Sequence, residues 1–267
     1  MRSGAAIRFP GGAIALLLTA MAGANAHASP WARLDGEILV ISGVNYFRSD
    51  LSSQDPNGGL FESIESDTYF EFGLTDDITI GGKAIYANSS LTNSAGNFND
   101  SGFSEIEAYG QYQFLRTMTH AASVKLSAGK PAAFQSGARN NSGGSGADVE
   151  LAALYGRNVM YEPVKIFVAA EAGFRKRLGD NADIVRTQGT IGIEPSKHWV
   201  LLLETFAAVS MRNEDAAGAD YDIVKIKPSV IYRFNRRWAI QAGVTEEVAD
   251  RNLARGRTYF FSLWSAF

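Results

Sequence analysis

Tyr259-Phe260-Phe261-Ser262-Leu263-Trp264-Ser265-Ala266-Phe267 is the stretch that decides the fold. A period of two puts Tyr259, Phe261, Leu263 and Phe267 on one face of an extended strand. In water such a strand is an aggregation hazard, because its apolar face and its unpaired backbone groups both invite association. A sheet closed into a ring removes the hazard: the last strand pairs with the first, no edge remains, and the apolar face meets hydrocarbon. The alternative, a soluble twelve-strand sandwich, would need one reason to bury Phe267 and another for the long loops upstream.

Upstream, segments of about ten residues alternate in the same way, with no long stretch at helical spacing after Trp31. From Glu105 to Phe114, Ile106, Ala108, Gly110, Tyr112 and Phe114 oppose Glu105, Glu107, Tyr109, Gln111 and Gln113. Val164 to Arg175 and Val224 to Phe234 divide likewise, and Pro228, which cannot donate to a ladder, is expected at a bulge or an unpaired position. About twelve such segments are expected, near 36–48, 61–74, 78–88, 103–114, 121–131, 148–158, 163–176, 183–194, 199–212, 221–234, 238–248 and 257–267. Short turns at Thr75–Asp77, Leu115–His120, Pro195–His198 and Asn235–Arg237 take turns with long polar loops at Ser49–Gly59, Asn88–Gly102, Ala132–Ala147 and Met211–Asp220. Shorter loops are expected near Lys176–Ala182 and Ala249–Gly256. Alternating short and long connections are the habit of an up-and-down transmembrane antiparallel β-barrel, with short periplasmic turns and longer extracellular loops. Aromatic residues flank the short turns, as at Phe72, Tyr232, Phe234, Trp238 and Trp199, where an amphipathic ring suits the headgroup level.

Residues 1–28 read as a signal peptide: Arg2 and Arg8, an apolar run from Ala13 to Ala22, and small residues ending Ala26-His27-Ala28. The run is too short to span a bilayer, which takes about 20 apolar residues. Cleavage is expected after Ala28, with Ala26 the alternative, leaving 29–267 as one barrel domain in the outer membrane of a Gram-negative bacterium. Its 23 basic and 28 acidic residues give a net charge of −5, and no basic stripe suggests nucleic acid. The chain has no cysteine, so ladder closure must supply the stability that disulfides give many exported domains.

The terminal strand resembles the last strand of bacterial outer-membrane barrels, in which a final Phe on an alternating aromatic strand is the assembly signal. The resemblance gives that role to Phe267, Leu263, Phe261 and Tyr259, and implies the barrel-assembly machinery as a partner; Ser265 departs from the larger apolar residue usual there. Trp31-Ala32-Arg33-Leu34-Asp35-Gly36-Glu37, Tyr46-Phe47-Arg48-Ser49-Asp50 and Glu71-Phe72-Gly73-Leu74-Thr75-Asp76-Asp77-Ile78-Thr79-Ile80-Gly81-Gly82 resemble XagA-like outer-membrane proteins and transporter-type barrels of the same class. This covers mainly the first half and implies a barrel associated with surface polysaccharide.

Alternation assigns the inward face. It carries Glu65, Asp67, Glu71, Glu105, Glu107, Asp148 and Glu150 with Lys83 and Lys125, then Lys165, Glu171, Arg175, Arg186, Glu204, Arg212, Lys225, Lys227 and Arg233. Charges against hydrocarbon cost roughly 2–4 kcal/mol each at the midplane, so these are expected to line a charged, wet lumen. One arrangement sets an acidic wall opposite a basic wall and orients polar or zwitterionic solutes; the other pairs the charges and plugs the lumen. Twelve strands lie between small filled barrels and open porins, so strand number does not choose. Enzymatic chemistry is not expected. His120 and His198 fall in short turns outside any Ser/His constellation, paired carboxylates such as Glu105 and Glu107 are ordinary lumen lining, and Gly143-Gly144-Ser145-Gly146 lacks the lysine of a phosphate loop. Asp50 and Asp55 do not have calcium-loop spacing, and no metal or cofactor is expected. The function expected is therefore a passive, porin-like channel for small polar or charged solutes. A non-conducting accessory barrel in polysaccharide export is the alternative and an outer-membrane enzyme a distant third. Outer-membrane lipid, lipopolysaccharide and a small polar solute are the other expected partners.

Overall fold

A computed structural model describes residues 29–51, 58–131, 147–161, 164–178, 182–211, 221–251, 253 and 255–267. The expected signal peptide, Arg212, Asp55 and the Gly143–Gly146 stretch lie outside them.

The described residues form one all-β closed barrel of twelve strands, each antiparallel to its neighbours in sequence. The strands are β1 (Ile38–Asp50), β2 (Leu60–Thr75), β3 (Ile78–Asn93), β4 (Gly96–Arg116), β5 (His120–Pro131), β6 (Asp148–Tyr161), β7 (Val164–Arg177), β8 (Ile184–Glu194), β9 (Trp199–Ser210), β10 (Asp222–Arg233), β11 (Trp238–Arg251) and β12 (Gly256–Ala266). Closure is made by β12 on β1, in a ladder from Leu39 opposite Ala266 to Ser49 opposite Gly256. Two backbone bonds, Ile38 N to Phe267 O and Phe267 N to Ile38 O, both 2.9 Å, seal the seam at its end.

Alternation sorts the side chains as the sequence implies. Val44, Ile64, Leu126, Leu151, Ile191, Leu203, Phe261 and Leu263 are among the large apolar residues left exposed on the outside. A soluble protein does not expose an apolar belt around its whole circumference; a barrel in a bilayer does. Near the short turns the belt ends in aromatic groups: Trp199 lies on Tyr232 with ring centroids 4.8 Å apart, Tyr232 on Phe234 at 5.2 Å, and Trp238 on Phe267 at 6.1 Å. Towards the loops it ends near Tyr86 and Phe103, whose centroids are 5.5 Å apart. Tyr259, Phe261, Leu263 and Phe267 all point outward, while Phe260, Ser262 and Trp264 are buried inside.

One expected loop is strand. Asn88–Gly102 belongs to a long hairpin in which β3 and β4 stay paired as far as Asn93 opposite Gly96, across a two-residue turn. Asn, Ser and Gly there look like loop because this part of the hairpin rises beyond the apolar belt and needs no apolar outer face. Gly96, at φ 144°, supplies the left-handed backbone of that turn. Pro228 behaves as expected: β10 pairs with β11 at Ile226 and again at Ser229, and the ladder is interrupted between them.

If the belt meets lipid, Leu126→Arg in the middle of β5 should lower folding free energy in phospholipid bilayers by about 2–4 kcal/mol, and Leu126→Ala by clearly less. Denaturant titration followed by tryptophan fluorescence measures both; equal effects would place this face away from hydrocarbon.

Candidate functional site

The inside of the barrel is layered. At the short-turn end, Leu39, Ile41, Tyr69, Phe167, Val200, Leu202, Ile231, Ala239 and Trp264 form one buried apolar cluster. These come from seven strands, so their contacts run across the interior.

Residues 29–33 lie beside this cluster, inside the ring. The chain enters the barrel before β1, and Pro30, Trp31, Ala32 and Arg33 are all buried there. Trp31 packs with Ala121 and Ala169, and Gly156 leaves the room: a Cβ on it would collide with the Trp31 indole and the Pro30 ring. The backbone of the segment is satisfied by inward side chains. The Ala32 amide donates to Gln113 Oε1 at 2.9 Å, the Arg33 amide to Thr79 Oγ1 at 2.8 Å, the Gln111 amide group donates to Ser29 O at 3.1 Å, and the Ser123 hydroxyl donates to Pro30 O. Leu34 to Glu37 then reverse direction into β1. Asp35-Gly36 makes the turn with Gly36 at φ 77°, and Leu34 O crosses β2 where only Gly73 leaves space.

The segment is anchored by an ion pair. Arg33 Nε donates to Glu71 Oε2 at 2.5 Å, both side chains being almost fully buried. Glu71 Oε1 also accepts from the Tyr69 and Tyr109 hydroxyls, at 2.6 and 2.8 Å. A buried carboxylate needs this many donors, because an unpaired one would bear its full desolvation penalty.

Above this floor lies a charged belt. Arg175 on β7 reaches Glu107 on β4 and Glu150 on β6, both at 2.6 Å, with Asp148 3.9 Å away. The bond to Glu107 joins strands that are not neighbours, so it spans the lumen. Glu150 also accepts from Arg186 at 2.8 Å; Lys83 binds Glu105 at 2.8 Å and Lys125 binds Glu171 at 2.7 Å. On the far wall Lys227 meets Glu204 at 3.3 Å and Lys225 meets Glu247 at 3.1 Å. Near the turns Arg233 meets Glu194 at 2.9 Å, and Lys165 stands opposite Glu194 in the ladder. Glu65 and Asp67 face inward on β2, opposite Asn45 and Gly43. Asp67 Oδ1 is buried and accepts no hydrogen bond among the described residues.

Of the two arrangements expected for the charges the paired one is found, and the expectation of a wet lumen is corrected. The charges do not separate into an acidic and a basic wall: Lys83 and Lys125 sit among the acids, and Glu204 and Glu247 among the bases, so opposite charges neutralise each other locally. Nor is the whole lumen wet. Inward groups of the belt such as Lys83, Glu105, Glu204, Lys225 and Lys227 keep 15–32% of their side-chain surface exposed, whereas the floor is dry. Sequence reasoning passed over Arg33, Glu194 and Glu247. Glu247 could have been found by extending the β11 alternation one step past Thr245; nothing local marks Arg33 as interior. His120 lies against the Tyr155 hydroxyl, 2.6 Å from Nδ1, and His198 Nδ1 donates to Arg233 O at 2.9 Å, both beside short turns.

Arg33→Ala should unseat the segment, since removing one partner of a buried ion pair costs about 3–5 kcal/mol. With no native cysteine in the chain, Ala32→Cys alone is a clean reporter. It should resist a charged maleimide in the otherwise native barrel and react readily when combined with Arg33→Ala; equal reactivity would mean the segment does not sit inside. Glu150→Gln, which takes the paired carboxylate from Arg186 and one of two close ones from Arg175, should destabilise the barrel by several-fold more than Asp183→Asn, whose partner Lys176 is 60% exposed.

No protein-family model matches the chain, and no curated protein matches its sequence. Solved structures do resemble it. The COG4313 outer membrane channel from Pseudomonas putida F1 superposes with a TM-score of 0.66 at 12% identity, over 90% of this chain and 98% of that one. The translocator domain of the autotransporter NalP from Neisseria meningitidis gives 0.53 at 10% identity, over 88% and 90%, and the KdgM porin 0.52 at 9% identity, over 84% and 99%. The chain therefore shares the fold of outer-membrane β-barrels.

Proposed function

We propose that the protein is a porin-like channel of the Gram-negative outer membrane for small polar or charged solutes, closed at its periplasmic end by residues 29–33. The observation that carries this reading is the contrast inside the barrel: a partly exposed belt of paired charges above a buried floor, part of which is a chain segment rather than barrel wall. A segment held by one ion pair and a few side-chain hydrogen bonds can leave; the strands cannot. The belt offers both signs of charge within a few ångströms, which suits solutes carrying both or either. The similar structures include one described as a channel and one as a porin, in keeping with this reading.

A second reading has its own observation. The dense pairing from Arg33 to Glu71 and the apolar cluster beside it would also suit a permanently closed barrel with an accessory role, such as the surface-polysaccharide association implied by the XagA-like motifs.

Planar-bilayer recordings separate the two. The native barrel should show rare or small steps, and the Trp31→Ala/Arg33→Ala barrel should show frequent steps of several-fold larger conductance. In that open background Lys227→Gln should shift selectivity towards cations and Glu107→Gln towards anions. Silence from both, with heat-modifiable migration confirming that each has folded, would favour the accessory role.

A further inference from the structure

The ladder registers lay out the outer face of β11, β12 and β1–β4 in rows. One row runs Phe261, Val44, Ser66, Tyr86, Phe103, and the next, one step nearer the loops, runs Tyr259, Tyr46, Ile64, Asn88, Ser101. The row above that is charged and polar: Glu246, Arg257, Arg48, Glu62, Ser90, Asn99. The chemistry thus passes from mainly aromatic and apolar residues, through a mixed row with two tyrosines, to charged and polar ones over two steps, which is the profile of a bilayer from its acyl edge into its headgroups.

Within the ionic row Arg48 stands directly opposite Arg257. Like charges in that relation repel unless an anion lies between or beside them. The two acids of the row flank the pair: Glu246 holds Arg257 through bonds of 2.5 and 3.2 Å, and Glu62 accepts from the Tyr46 hydroxyl. Both arginine side chains are exposed on the outside, Arg257 with 53% of its surface accessible beside its bonds to Glu246. Beside Arg48 the same outer face is concave. A cleft of about 600 Å³ is lined there by Tyr46, Glu62, Asn88, Asn99, Asp100 and Ser101 among others, an array of amides, hydroxyls, one phenol and two carboxylates, and the two arginines stand beside it rather than in it.

We infer that Arg48, Arg257 and this cleft form a binding site for the phosphorylated sugar headgroup of an outer-leaflet glycolipid. Paired guanidinium groups chelate phosphate oxygens. The amides and hydroxyls of the cleft match sugar hydroxyls as donors and acceptors, and the cleft falls in the volume range of small-molecule sites. The aromatic and apolar rows directly below would carry the acyl chains, which is why a lipid-anchored sugar phosphate fits better than a free one.

Native mass spectrometry of the intact barrel in non-ionic detergent tests this, titrating a bis-phosphorylated, hexa-acylated glucosamine disaccharide lipid against phosphatidylglycerol and against the deacylated disaccharide. The native barrel should prefer the glycolipid to both by about tenfold or more, the equivalent of one charge-assisted hydrogen bond. Arg48→Gln/Arg257→Gln should abolish most of that preference. Asn88→Leu/Asn99→Leu should weaken glycolipid binding while leaving phosphatidylglycerol binding unchanged. Phosphatidylglycerol binding as tightly as the glycolipid, deacylated sugar binding as tightly, or a glycolipid preference that survives both double variants would each overturn the assignment. None of these readings depends on whether the barrel conducts.

Discussion

Antiparallel pairing of β12 with β1 closes the sheet, and the two faces of the ring then obey opposite rules. With every strand paired on both sides, the backbone can enter hydrocarbon, and the outer side chains must be those that hydrocarbon accepts. The inner side chains face a space too narrow to be fully hydrated, where each charge needs a partner. The apolar belt of Val44, Leu126, Leu151 and Leu263 answers the first rule. The lattice of Arg175, Glu107, Glu150 and Arg186 answers the second, and because it ties β4 to β7 across the lumen it also braces the ring.

The short-turn end shows how a chain of this size deals with a cross-section that twelve strands leave open. Apolar side chains from β1, β2, β7 and β9–β12 form one part of the floor, and a five-residue segment forms the other. The division is asymmetric in energy as well as in space. The apolar cluster belongs to the walls and can be removed only by unfolding them. The segment is tethered through Arg33 to Glu71, which also accepts from the Tyr69 and Tyr109 hydroxyls.

Much of this was legible in the sequence, because a strand between lipid and water writes a period of two. The strands were readable to within a few residues, and so was the face on which Glu105, Glu107, Lys125, Glu150 and Glu171 lie. Asn88–Gly102 was not, since a strand above the membrane loses its apolar face and takes on the composition of a loop. Nor were the pairings: Arg175 and Glu107 are distant in sequence, and alternation gives a side chain's face but not its partner. Trp31 and Arg33 carried no periodic signal at all. Their burial depends on the shape left inside the ring, on Gly156 and Gly73 giving way, and on Thr79, Gln113 and Ser123 being aimed at that space.

The most direct test of the account is hydrogen exchange at the amides of Ala32 and Arg33 in the folded barrel. Both donate to side chains in a dry interior, so their exchange should be slowed by orders of magnitude relative to an unstructured peptide and restored in Arg33→Ala. Exchange at the unprotected rate in the native protein would mean that the segment lies outside the barrel and that the lumen is closed by something else or not at all.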